Sequence, residues 1–238
     1  MTFIKDKPIQ KLGLEHSPVG LWLFDGNLND SSGNEFNLSG SAFYTTLPRD
    51  NQKGLCYRTT LTRGVRDNPL ALMGTVSLEL TGSLLYGSIN QCFFCFGKAG
   101  ELEADNHAYI GMITQNRAMH LLWESGAGTD RQVTSPDGVV PIGVPSHLVW
   151  TRNGANPAEV NMYVNGVNVH TGSDVAATGG TAATCALRVG TDSGASFPIV
   201  SGTVLTSLKI IAAELTPQQV VDEYNRVLGG KAITYPVM

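Results

Sequence analysis

Three carboxylates stand at alternate positions in Glu101-Leu-Glu103-Ala-Asp105. On an extended strand, residues i, i+2 and i+4 share one face. Retaining glycoside hydrolysis needs two carboxyls about 5–5.5 Å apart, one as nucleophile and one as acid and base. Glu101 and Glu103 are therefore the candidates for that chemistry. The segment follows Gly97-Lys-Ala-Gly100 and precedes Asn106, which is the setting of a hairpin loop. Carboxylates on such a loop are solvated, so the reading is non-catalytic and hydrolysis by Glu101 and Glu103 is the third-ranked alternative.

A second acidic stretch, Asp25-Gly-Asn27-Leu-Asn29-Asp30, begins like a calcium loop. An EF-hand requires Gly at its sixth position and Glu at its twelfth. Here those positions hold Asp30 and Phe36. A surface turn closed by Asx hydrogen bonds accounts for the residues better. No cofactor and no metal is expected, and calcium is the one ion worth testing. Cys92-Phe-Phe-Cys95 has CxxC spacing, but it lies in a strand-like run. Residues i and i+3 of a regular strand face opposite ways, so these thiols read as buried and reduced. The five histidines are dispersed and form neither HxH nor HExxH. No G-x-S-x-G and no phosphate-binding glycine loop occurs.

Two aromatic residues are candidate glycan contacts. Trp123 alternates in phase with Met119 and Leu121, which points to the core, yet it borders the polar loop Glu124-Ser-Gly-Ala-Gly-Thr129. Tyr109 could join it on a concave sheet and stack on a sugar ring.

The elements that must carry these residues are short apolar runs separated by Gly, Asn, Asp, Ser and Pro. Strands are expected at 19–24, 76–81, 90–96, 108–114, 118–124, 146–152, 159–164, 167–171, 186–190 and 203–212. Repeated short strands with such turns mean an antiparallel sandwich or barrel. Asn165-Gly166 joins two of them in a type I′ turn, with Val160, Met162 and Val164 facing the core. One helix is expected near the end. Thr216 caps it, Pro217 fits its first position, Gln219 completes a capping box, and Gly229-Gly230 stop it. Val220, Val221, Tyr224, Val227 and Leu228 form its apolar stripe.

The 238 residues carry a net charge of -4, and only 15% are charged. No basic excess exists to neutralise phosphates, so nucleic acid is not an expected partner. No run approaches the ~18 apolar residues of a membrane span, so no membrane insertion is expected. The first residues lack an apolar signal-peptide core, which points to synthesis in a cytoplasm.

Five blocks then carry a resemblance. Gly20-Leu-Trp-Leu-Phe-Asp25-Gly-Asn-Leu-Asn-Asp30-Ser-Ser-Gly-Asn34 resembles the opening of laminin-G-like, concanavalin A-like jelly-roll domains. His147-Leu-Val-Trp-Thr-Arg152, Met162-Tyr-Val-Asn-Gly-Val167, Leu187-Arg-Val-Gly190 and Leu215-Thr-Pro-Gln-Gln-Val-Val-Asp-Glu-Tyr-Asn225 resemble their later blocks, in order. The resemblance implies an all-β, two-sheet antiparallel jelly-roll sandwich with one short C-terminal helix. It places that domain at residues 18–228, between an N-terminal arm at 1–17 and a C-terminal tail at 229–238. Where the family often has an acidic pair in its penultimate strand, this chain has Thr206-Ser207, which weakens a calcium reading.

The family spans glycan binders, adhesion modules, hydrolases and virion proteins, so fold alone does not give function. The low charge suits a surface held in contacts. The expected role is a bacteriophage virion surface component: a capsid decoration, fibre or tail protein carrying a lectin-like domain. Its partners would be other virion proteins or further copies of itself, and a cell-surface glycan. A free glycan-binding adhesion module is the alternative.

Overall fold

The computed structural model describes residues 18–46, 53–57, 64–66, 75–85, 89–97, 107–124, 130–154, 157–174, 186–191 and 197–229. The arm at 1–17 and all of the tail except Gly229 lie outside them. Within the described residues the chain forms fourteen strands and one helix. The strands are β1 (Gly20–Trp22), β2 (Tyr44–Thr46), β3 (Lys53–Cys56), β4 (Gly64–Arg66), β5 (Val76–Ser83), β6 (Gln91–Gly97) and β7 (His107–Ile113). They continue as β8 (Met119–Glu124), β9 (Asp130–Thr134), β10 (Pro145–Arg152), β11 (Ala158–Val164), β12 (Val167–Asp174), β13 (Ala186–Val189) and β14 (Val204–Ile211). The helix α1 spans Pro217–Leu228.

Two antiparallel sheets result. The eight-stranded sheet runs β12-β11-β10-β5-β14-β3-β2, with β1 also paired to β14. The six-stranded sheet runs β4-β13-β6-β7-β8-β9. All ten expected strands are present, with ends shifted by a few residues. The strands not anticipated are β2, β3, β4 and β9. Asp130–Thr134 reads DRQVT, too polar to announce itself, and it forms only because β8 offers an edge to pair with.

The inner faces of the sheets make the main core. Trp22, Trp150, Phe93, Phe94 and Phe96 are fully buried there. Phe94 meets Trp150 edge-to-face, with ring centroids 5.4 Å apart. Gly111 lies opposite Phe94, and a Cβ at that position would sit 1.9 Å from the ring. The glycine is therefore a space requirement of the core. Burying each such large apolar side chain contributes roughly 1.5–3 kcal/mol.

The β11–β12 hairpin follows its sequence. Asn165 and Gly166 take φ of 52° and 80°, and Val160, Met162 and Val164 join the core. The strand containing the CxxC spacing does not. Its register slips between Cys92 and Phe94 against β7, so a bulge adds one residue at that point. The bulge turns Phe93 and Phe94 both inward and brings Cys92 and Cys95 to the same outer cluster with Met112. The expectation of opposite faces is corrected accordingly. Neither cysteine is in a disulfide, and Cys92 Sγ contacts Phe94 O at 3.4 Å.

Helix α1 is capped as its residues require. Thr216 Oγ1 accepts from Gln219 N, Gln219 Oε1 accepts from Thr216 N, and Gly229 closes the end at φ 72°. Its apolar stripe needs correction. Only Val220 and Glu223 are buried along the helix. Val220 joins Val149, Tyr163, Ile211 and Leu215 in a small second core on the outer face of the eight-stranded sheet. The rest of the docking seam combines the Glu223 ion pairs with Tyr224 stacked on His147.

Candidate functional site

Alternation along β5, β10 and β14 sends Leu78, Leu80, Leu148, Trp150, Leu208 and Ile210 inward. The residues between them, Glu79, Thr81, His147, Val149 and Lys209, face the other side. That outer face receives α1. A cleft opens on each flank of the helix.

The first cleft holds about 230 Å³ beside Val227 and contains Glu79, Thr81, Lys209, Glu223 and Arg226. Glu79 lies directly across from Lys209 in the β5–β14 ladder. Lys209 Nζ is 3.0 Å from Glu79 Oε2 and also pairs with Glu223. Arg226 Nε donates to Glu223 Oε2 at 2.8 Å, and its guanidinium makes a second contact to the same carboxylate. His147 Nε2 sits 3.3 Å from Glu79 Oε2, and its ring stacks on Tyr224 at 6.4 Å. Burial pushes the Glu223 carboxyl up. The Arg226 hydrogen bond and the charge of Lys209 outweigh that and hold it at about 2. Each carboxylate here has a cation.

The second cleft holds about 340 Å³ at the N-terminal end of α1. Glu159, Asn161 and Tyr163 reach it because they alternate with the three core residues of β11. Asn168 lies opposite Tyr163 on β12. Glu214, Leu215, Thr216 and Pro217 form the facing wall. Ser77 pins that wall to the sheet: its Oγ donates to Ala213 O at 2.7 Å and accepts from Leu215 N at 2.9 Å. Asn161 organises the floor. Its Nδ2 donates to Glu159 Oε1 at 2.9 Å, and its Oδ1 accepts from Thr171 Oγ1 at 2.6 Å and from Asn168 Nδ2 at 3.3 Å. Glu214 faces it across the cleft. Burial and the neighbouring Glu159 charge raise the Glu214 carboxyl above its ordinary value, against the influence of the Asn161 amide. Burial likewise raises the Tyr163 phenol, with Glu214 and Glu159 adding to it. None of the residues lining this cleft is a cation.

The residues singled out from the sequence lie elsewhere. Glu101 and Glu103 fall outside the described residues. Tyr109 is paired with Phe96 in the β6–β7 ladder, and its side chain is outside the described part. Trp123 is fully buried in the main core, with the Arg152 guanidinium 5.3 Å from its ring centroid. A glycan contact at Trp123 is thus corrected: the ring is used for packing. The Asp25–Asp30 stretch is a closed turn. Asp30 Oδ1 accepts from Leu21 N and Ser32 N, and its Oδ2 from Ser32 Oγ and Phe36 N, all within 2.7–2.9 Å. Burial raises the Asp30 carboxyl, and these donors outweigh it and leave it below its ordinary value. Asp25 Oδ1 accepts from Asn27 Nδ2, and Asn27 Oδ1 from Asn29 N. Among the described residues no group of three His, Cys, Asp or Glu is assembled for a metal.

Sequence reasoning missed Glu159, Asn161, Asn168 and Glu214. One signal was available: the polar residues of Glu159-Val-Asn-Met-Tyr163 share a face that no loop signal claims. Their meeting with Glu214 crosses more than fifty positions and is a tertiary event.

Comparison with solved structures places this architecture. Domain 4 of an extracellular GH43 arabinanase from Geobacillus stearothermophilus, in complex with arabinotriose, superposes with a TM-score of 0.63 at 19% identity. The match covers 87% of this chain and 98% of that one. The ligand-binding domain of botulinum neurotoxin serotype D, in complex with N-acetylneuraminic acid, gives 0.65 at 10% identity over 89% of this chain and 51% of that one. The CBM40 of a Ruminococcus gnavus IT-sialidase, bound to alpha2,3 sialyllactose, gives 0.54 at 12% identity over 65% and 84%. These likenesses concern the fold. Comparison with curated proteins returns no match. A sequence model of the laminin G type matches residues 89–221, and the chain belongs to the concanavalin A-like lectin/glucanases superfamily.

Proposed function

We propose that the chain is a non-catalytic recognition module whose ligand is a glycan, held in the 340 Å³ cleft between β11, β12 and the start of α1. The observation that carries this reading is the composition of that cleft. Sugar hydroxyls both donate and accept, and Asn168, Glu159 and Glu214 supply matching amide and carboxylate groups on a floor organised by Asn161. Pro217 supplies exposed apolar surface for the C–H face of a ring, over a floor closed by Tyr163 and Leu215. A few placed polar groups against apolar surface is the ordinary make-up of a small-molecule site. The arabinotriose and sialyllactose held by similarly folded domains support the same ligand class.

The test is a glycan panel probed with the purified protein, in calcium and again in chelator. Binding of a saccharide is expected in both buffers. Asn168→Ala is expected to weaken it about tenfold, the order of a lost hydrogen bond to a ligand, with the melting temperature nearly unchanged. No reducing sugar is released. A panel without a hit, or a hit insensitive to Asn168→Ala, overturns the reading.

The proposed setting is a bacteriophage particle, with synthesis in the host cytoplasm and display on the virion surface. A charged fraction of only 15% favours it, because that suits a surface in contact with other virion proteins or further copies. Mass spectrometry of purified particles from the source is expected to find the chain, and its absence overturns the setting.

A further inference from the structure

The geometry points to a second copy of this chain as the partner of the free edge of β12, paired antiparallel about a two-fold axis at Gly172. β12 ends the eight-stranded sheet, and among the described strands it pairs with β11 alone. An unpaired edge presents a row of backbone N–H and C=O groups to any chain that can align with it. Proteins guard such edges by keeping them short or charged, or by placing Pro in them. The other edges here follow that rule. β1, β2 and β4 have three residues each, and β9 opens with Asp130-Arg131. β12 has eight residues, with no Lys, Arg or Pro and with Asp174 as its one acidic residue. Val167 at its start is 63% exposed, more than any other large apolar side chain among the described residues.

The residues supply the register. The irregularity opposite Met162 and Tyr163 falls between Asn168 and His170, and from His170 to Asp174 the strand keeps step with β11. This straight run reads His-Thr-Gly-Ser-Asp. Turned antiparallel on a copy of itself about Gly172, it sets Thr171 opposite Ser173 of the second copy and His170 opposite Asp174 of the second copy. Each pair occurs twice. Cross-strand Thr–Ser pairs can hydrogen-bond, and no like charges stand opposite each other. Thr171 and Ser173 are both exposed, so neither has to leave a packed core to meet the copy. Gly172 on Gly172 brings no side chain to the axis. That axis is perpendicular to the sheet, so the outer faces of both copies, each with its α1, lie on one side of the joined sheet. One paired edge buries less than a standard interface of ~1,600 Å², so the dimer belongs to high protein concentration. The contact is independent of the glycan reading and of the virion setting.

The experiment is sedimentation of the intact chain over a concentration series reaching about 1 mM, the weak end of specific association. A reversible monomer–dimer equilibrium is expected. Ser173→Lys guards the edge as natural edges are guarded, and it is expected to weaken the dimer about tenfold with the melting temperature unchanged. The register is read by mixing Thr171→Cys protein with Ser173→Cys protein in oxidised glutathione. Directly opposed residues have Cα atoms about 4.5–5.5 Å apart, which a disulfide spans. Like positions lie about 8 Å apart on the diagonal, which a disulfide does not span. The mixture is therefore expected to form a covalent dimer faster than either variant alone or the unmutated chain. The melting temperatures of the two cysteine variants serve as the folding control. A chain that stays monomeric, a dimer indifferent to Ser173→Lys, or a mixture that cross-links no faster than its components overturns the inference.

Discussion

Two clefts flank the same helix on the same sheet face, and each brings two carboxylates together. Beside Val227, Glu79 and Glu223 are 3% and 2% exposed, and Lys209 and Arg226 neutralise them. At the other flank Glu159 and Glu214 meet solvent, and no cation lines the cleft. The difference is one of use. Buried charges persist in a fold when they are paired and hydrogen-bonded. The first cleft is the ionic half of the seam that docks α1, completing what Val220 begins. The second cleft carries carboxylate charge that the fold does not pair with a cation among the residues lining it.

Breaking the neutral cleft should have the largest effect. Lys209→Met leaves Glu79 and Glu223 buried face to face and is expected to cost about 3–5 kcal/mol, read from urea denaturation at pH 7. A loss under about 1 kcal/mol would mean that the helix docks without its ion pairs.

A pH series sharpens the comparison next. Glu223 is held at about 2, below its ordinary 4.5, so its charge stabilises the fold above the ordinary value. That contribution is lost progressively as pH falls toward 2. The wild-type protein should therefore be more stable than Glu223→Gln at neutral pH, and the gap should narrow steadily through acid. A gap constant with pH would show that shape, not charge, seats the residue.

The smallest effect belongs to the open cleft and has the opposite sign. Glu214 is raised, so its ionisation opposes folding once pH exceeds its folded value. Glu214→Gln should stabilise the protein at neutral pH by less than about 1 kcal/mol, since the group is part-exposed and screened. The difference should vanish below the carboxylate range. Destabilisation at neutral pH would place Glu214 in the structural class with Glu223.

Much of the fold was legible where local chemistry decides it. Asn165-Gly166 sets its turn through its own φ angles, and Thr216, Gln219 and Gly229 mark the helix by closing hydrogen bonds within a few residues. The site was far less legible. Trp123 invited a surface role because it borders a polar loop, yet packing between the sheets buries it. Cys92 and Cys95 were assigned to opposite faces because strand parity assumes a regular ladder, and a bulge against β7 breaks that parity. Glu223 sat unremarked between Val220 and Tyr224 because Lys209, the cation it meets across the seam, lies on another element.

The sequence by itself determined alternation, turn chemistry and caps, all of which act over short stretches of chain. It thereby determined two packed sheets and a capped helix. Only the tertiary structure decided which polar residues would be consumed by the fold and which left over. Lys209 reaches Glu79 and Glu223 across 130 and 14 positions. Glu214 comes to line one cleft with Asn161 only after the β14–α1 connection folds back over β11. The physical reason is that compensation of charge depends on distance in space, and neither composition nor spacing along the chain reports it.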